Sequence, residues 1–230
     1  MDWVAWHEAY DDPSSQLSAR LTLVKQHVAA ALDRAPASPI RLVSLCAGQG
    51  QDVIETLPDH PRRDDVSAVL VEADPENVAR ARDAASTAGL TGADPGSAER
   101  ARRGAEATGR PGVEVRQADA SQVASFADAL PADVLLLCGI FGNVSVADIE
   151  RTVAAAPALC APGATVIWTR HRREPDLTPQ IRAWFTGAGF EELAFGSPES
   201  APRTGVGAAV LRDAGGAVLP EGPLFRFGFQ

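Results

Sequence analysis

The residues best suited to hold a ligand stand at the ends of short apolar runs. The first run closes on Ser44-Leu45-Cys46-Ala47-Gly48-Gln49-Gly50, and a helical pattern containing Asp52 opens directly behind it. Glycines at such a turn let the backbone approach a ligand with no Cβ in the way, and a helix start offers it free N–H groups. The second run ends in Glu72-Ala73-Asp74-Pro75, which places a carboxylate to accept hydrogen bonds from two ribose hydroxyls. The third leads into Asp119-Ala120, where a carboxylate can accept an exocyclic adenine amine, and the fourth brings Cys138-Gly139 to the same edge. Each has a plainer use. The glycines can merely shape a turn, and Glu72 and Asp119 can merely cap the helices behind them. Repetition of the pattern at four successive strand ends favours the ligand.

Proton transfer would need a side chain that titrates near neutrality. Of four histidines, His27 falls in an amphipathic helix and His60 in a charged, proline-containing loop, so both read as structural or solvated. His171 follows the fifth apolar run, in Arg170-His171-Arg172-Arg173. His7 sits with Trp3, Trp6 and Tyr10 at helical spacing in the opening segment. These two are the candidate general bases, and for each a structural role stands beside the catalytic one. The arginines around His171 suit an anionic ligand or a solvated loop. Asn143, just past the fourth run, can bond a ligand or cap the next helix. Cys46 and Cys138 read as packing groups at neighbouring strand tips. With no histidine at ligand spacing, no metal site is expected.

The elements that position these residues alternate. Strands are expected at 40–46, 66–71, 113–116, 134–138 and 164–169, separated by helices at 51–57, 75–88, 121–130, 146–156 and 177–188. Strands apolar throughout, alternating with helices, indicate a mostly parallel sheet covered on both faces. Strands at 190–195 and 206–212 are too close for a helical crossover and should pair antiparallel. Ahead of them, Asp12 and Pro13 resemble the cap and first turn of a helix whose stripe runs through Leu17, Leu21, Val24, Val28 and Leu32. Residues 1–36 thus read as an N-terminal helical cap and 37–230 as one globular unit, with a surface insertion at 89–112. At the other end Phe225, Phe227 and Phe229 have strand spacing, fit to add an edge strand or to close over a pocket.

Bulk properties narrow the function. A chain of 230 residues is long enough for one generous core. A net charge of −9, from 21 basic and 30 acidic residues, opposes a nucleic-acid partner at long range. No apolar stretch reaches membrane-spanning length. Three scattered cysteines without a CxxC pair fit a reducing cytoplasm.

Taken in order, the strand ends resemble those of the class I S-adenosylmethionine-dependent methyltransferases. Residues 44–50 look like that family's glycine-rich motif, Glu72 like its ribose binder, Asp119 like its adenine contact, and 133–139 like its fourth motif. Pro162-Gly163 before Thr165-Val166-Ile167 resembles the following turn and strand, and the likeness covers roughly residues 40–212. It implies a Rossmann-like, doubly wound, mostly parallel seven-stranded α/β sheet with a C-terminal antiparallel pair. It also implies S-adenosyl-L-methionine as cofactor, a small-molecule acceptor, and an opening helix that closes as a lid. Cofactor contacts would come from Ser44, Cys46, Ala47, Gly48, Gln49, Gly50, Asp52, Glu72, Ala73, Asp119, Ala120, Cys138 and Gly139. Trp3, Trp6, Tyr10 and Asn143 would serve the lid or substrate.

Ser44 stands where the family usually has an acid and Cys46 where it usually has glycine. Backbone carbonyls or Asp52 would then meet the methionine ammonium. Cys138-Gly139-Ile140-Phe141 replaces the Asn-Pro-Pro-aromatic motif of amide and amine methylating enzymes, which favours oxygen as the acceptor. A nicotinamide-dependent oxidoreductase would share the glycine turn and the acid, but Val53 occupies the position of its third glycine. A non-catalytic S-adenosylmethionine-binding protein is the other alternative.

Overall fold

The computed structural model describes residues 12, 14–36, 38–91 and 111–228. The expectations for Trp3, Trp6, His7, Tyr10, Pro13 and Phe229, and for most of the 89–112 insertion, lie outside them.

Helix α1 (Gln16–Arg34) comes first, then β1 (Ile40–Leu45), α2 (Gln51–Ile54), β2 (Val66–Glu72), α3 (Pro75–Thr87) and β3 (Gly112–Gln117). After these come β4 (Ala132–Leu137), α4 (Val146–Leu159), β5 (Cys160–His171), α5 (Thr178–Gly187), β6 (Phe190–Gly196) and β7 (Thr204–Leu211). The strands form one seven-stranded sheet in the order β3-β2-β1-β4-β5-β7-β6. The pairs β1–β2, β2–β3, β1–β4 and β4–β5 are parallel, whereas β7 lies antiparallel between β5 and β6.

The apolar runs alternate between two cores. Val43, Leu135, Leu137, Val166 and Trp168 point to the face covered by α4 and α5. Leu42, Val134, Leu136 and Ile167 point to the other face, with Val24, Val28 and Leu32 of α1 and Val78 of α3. Burial of both faces explains why these strands show no polar alternation. In β7, Gly207 lies opposite Trp168, where a Cβ would come within 2.4 Å of the indole. Only glycine fits against that ring.

Local chemistry moves several expected boundaries. The N-cap of α1 is Ser15, whose Oγ accepts from Ser18 N, rather than Asp12. Asp12 instead accepts from the backbone N and Oγ of Ser14 and closes the preceding turn. The helix expected at 121–130 is two 3-10 turns, Val123–Ser125 and Ala127–Ala129. Asp119 causes this by accepting Ser121 N with its carboxylate and Ser125 Oγ with its carbonyl, bonds that compete with an α-helical start. Pro162-Gly163 lies inside β5: the register jumps from Ala132–Cys160 to Val134–Thr165, so the expected turn is a bulge.

Among the described residues the tail makes one bridge rather than an edge strand, between Phe227 and Val144. Leu224 anchors it, donating to Ser121 O and accepting from Thr152 Oγ1. Among the described residues no helix is long and apolar enough to cross a membrane.

Candidate active site

Connections leave β1 in opposite directions, β2 and β3 on one side and β4 onward on the other. This reversal leaves a crevice outside the carboxyl ends of the strands, where open α/β sheets take their ligands. The turn after β1 is tightly specified. Cys46, Gly48 and Gly50 all have positive φ, at 54°, 57° and 69°. At Gly50 a Cβ would also stand 2.5 Å from Leu70 Cδ2, so the turn needs glycine for both space and conformation. Helix α2 behind it is a single turn, shorter than the 51–57 the sequence suggested, and its dipole is correspondingly slight.

Glu72 at the tip of β2 ties this turn in place. One carboxylate oxygen accepts Gly48 N at 2.8 Å and the other accepts Asp74 N at 2.9 Å. Asp74, not Glu72, caps α3 by accepting Glu76 N and Asn77 N. Asp119 accepts Ser121 N at 2.9 Å, which closes a turn and does not cap the helix the sequence allowed, while still facing the crevice.

A cavity of about 490 Å³ occupies the crevice. Ser44, Cys46, Ala47, Gly48, Gln49, Gly50 and Asp52 line it from the first turn, and Glu72 and Ala73 from the second strand end. Asp119 and Ala120 face it from the third, and Cys138, Gly139 and Asn143 from the fourth. The fold brings all of these candidates together. Phe227 of the tail completes the wall, so the aromatic spacing there reports a pocket contact.

Sequence reasoning missed Arg20, which reaches this cavity from α1. The signal was an arginine on the helix's apolar stripe, three residues after Leu17 and four before Val24. Its charge acts on Asp52. Burial pushes the Asp52 carboxyl up from 3.8 to about 6, opposed by the Val53 N–H it accepts and by Arg20. The thiols of Cys46 and Cys138 are raised mainly by burial and then by nearby carboxylates, Glu72 and Asp119 for Cys46 and Asp52 for Cys138. Both stay protonated near neutrality and are poor nucleophiles. Among the described residues no cluster of three His, Cys, Asp or Glu could hold a metal ion.

A second cavity, about 480 Å³, adjoins the first, with Arg20, Gly139 and Asn143 lining both. His171 lines only the second. Burial lowers its pKa, as do Arg170 and Arg173, against the pull of Asp176, so it is neutral at pH 7. Its Nδ1 is buried without a hydrogen-bond partner. Asn143 closes the turn after β4 by donating to Gly139 O at 2.7 Å, and Ser145 rather than Asn143 caps α4. His60, by contrast, is buried away from both cavities, 3.4 Å from Asp33, and His27 lies on α1 outside them.

The fold is that of the class I methyltransferases. Magnesium protoporphyrin IX methyltransferase ChlM from Synechocystis PCC 6803, solved with S-adenosylmethionine bound, superposes with a TM-score of 0.62 at 12% identity, over 90% of this chain and 89% of that one. An O-methyltransferase family protein from Burkholderia thailandensis gives 0.61 at 15% identity over 89% of this chain, which spans only 59% of that protein. The CurJ carbon methyltransferase gives 0.53 at 15% identity, over 84% of this chain and 54% of that one. No protein-family model and no curated protein matches the sequence.

Proposed function

We propose that the chain transfers a methyl group from S-adenosyl-L-methionine to a small molecule, with an oxygen atom favoured as acceptor. One observation carries the reading: the cavity walled by the Glu72-tethered glycine turn adjoins a second cavity lined by a neutral histidine. The first volume lies within the usual range for small-ligand sites. S-adenosylmethionine supplies a methyl group already activated as a sulfonium, so the protein's task is chiefly orientation and exclusion of water.

In this reading Glu72 accepts the ribose hydroxyls with its remaining lone pairs, and Asp119 accepts the adenine amine. Asp52 and Arg20 offer opposite charges to the amino and carboxylate ends of the methionine, so Asp52 replaces the acid absent at Ser44. His171 takes the proton from a hydroxyl acceptor. Residues 1–36 act as a cap over the domain formed by 37–230, and Trp3, Trp6, His7 and Tyr10 close over the ligands. Scattered free cysteines agree with work in a reducing cytoplasm. A dinucleotide is disfavoured because Val53, fully buried between helix and sheet, fills the place where that fold needs glycine.

Calorimetry after chelator treatment tests the assignment. S-adenosylmethionine and S-adenosylhomocysteine should bind and NADH should not. Binding of NADH alone, or loss of all binding with the chelator, refutes it. In a transfer assay His171→Ala should lower kcat by roughly 10²- to 10⁴-fold, and wild-type kcat/KM should fall as pH drops through a value below 6.5.

A further inference from the structure

The second cavity has a charge opposite to that of the protein. The chain carries 30 acidic against 21 basic residues. Yet Arg20, Arg170, Arg173 and Arg203 converge with His171 on this cavity, and among the described residues no carboxylate lines it. Other arginines are neutralised: Arg172 pairs with Asp176, Arg182 with Glu192 and Arg212 with Glu191. Arg173 and Arg203 have no ion pair among the described residues. The buried Arg170 donates one guanidinium N–H to Phe141 O, while its Nε has no partner. Arg173 and Arg203 thus bring the cavity charge that no ion pair among the described residues offsets, and a ligand of opposite sign recovers the cost of gathering it beside Arg170.

We infer that this cavity recognises an anionic oxygen group, carboxylate or phosphate, on the methyl acceptor, with Arg173 and Arg203 as its principal binding groups. The inference rests on the methyltransferase reading for the word acceptor, though not for the binding itself. The planar fork of an arginine suits both anions. The cavity is sized for a small molecule, and the acidic remainder of the surface repels a polyanion. The wall of Gly139 and Asn143 shared with the first cavity would set a molecule anchored here beside the methyl donor.

The test first establishes binding of S-adenosylhomocysteine to the full chain; its absence sinks the cofactor reading and leaves the anion question to be answered separately. Benzoate and phenyl phosphate are then titrated against benzamide as the uncharged control. At least one anion should bind on the order of tenfold more tightly than benzamide, and less tightly as NaCl rises. Arg173→Gln with Arg203→Gln should remove most of that difference. The His171 imidazole, followed by NMR, supplies a second readout. It faces Arg170 and Arg173 on its own segment, with Arg20, Arg203 and Asp176 around it. A bound anion should move its titration upward by offsetting the arginines. Equal affinity for benzoate, phenyl phosphate and benzamide with an unmoved His171 overturns the inference. So does tighter, salt-sensitive binding of a short RNA, which would make the patch a polyanion surface.

Discussion

Replacing Glu72 with glutamine separates two roles that a ribose contact alone would merge. If the carboxylate served only the sugar, an amide oxygen would still accept, and Glu72→Gln would be milder than Glu72→Ala. Here both oxygens already accept backbone N–H groups, from Gly48 at 2.8 Å and Asp74 at 2.9 Å. An amide has one acceptor atom, so its NH2 must oppose one of those donors. The misplaced group either pushes the glycine turn outward or rotates away and releases it. A hydrogen bond to a charged group is worth roughly 1.5–3 kcal/mol. Loss of one such bond on the ligand side therefore weakens S-adenosylhomocysteine by about tenfold to a hundredfold. Because Glu72 is half-buried and water replaces part of the loss, stability should fall by only about 1–2 kcal/mol, a melting shift of roughly 2–8 °C. Calorimetry and thermal melting of wild type, Glu72→Ala and Glu72→Gln provide the measurement, with the glutamine variant binding no better than the alanine one. Wild-type affinity and melting temperature in Glu72→Gln would refute both the clamp on the turn and the ribose contact.

Other consequences follow from particular side chains. Asp52 loses its proton near 4 in the unfolded chain and near 6 in the folded one, so the folded protein holds an extra proton between those values. Its contribution to stability therefore falls as pH rises across that window and stays lower above it, by on the order of 2–3 kcal/mol. Asp52→Asn should accordingly stabilise the protein at pH 7 and change nothing below pH 4; equal effects at both, in chemical denaturation, would show that the carboxyl is not buried as described. Gly207→Ala places a methyl 2.4 Å from an indole stacked between Phe185 and Phe195. Overpacking there should cost roughly 1–3 kcal/mol, and an unchanged melting temperature would show that Trp168 can move. A chain beginning at Asp12 should keep its fold yet lose most methyl transfer if the opening segment is a lid; undiminished transfer and cofactor affinity would remove that role, and His7 with it.

Sequence alone determined the ladder of strands and the edge at which ligand residues gather. Strands buried on both faces are apolar at most positions, and a turn with positive φ beside a packed Leu70 must be glycine at residue 50, so both leave local marks. The acid at Glu72 was legible because it closes an apolar run, and Asp119 because it stands just beyond the alternating strand Gly112–Gln117. Tertiary structure decided what depends on approach across the chain. Arg20 reached the cavity because α1 lies against the sheet near α2, and the tail brought Phe227 to the wall by pairing with Val144. Local competition hidden from periodicity turned 121–130 into 3-10 turns and moved the α1 cap to Ser15. Above all, the basic run 170–173 read more readily as a solvated loop than as a binding site. Only the fold placed Arg170, His171 and Arg173 in one cavity with Arg20 and Arg203, because charge becomes a site through convergence in space, which spacing along a chain does not encode.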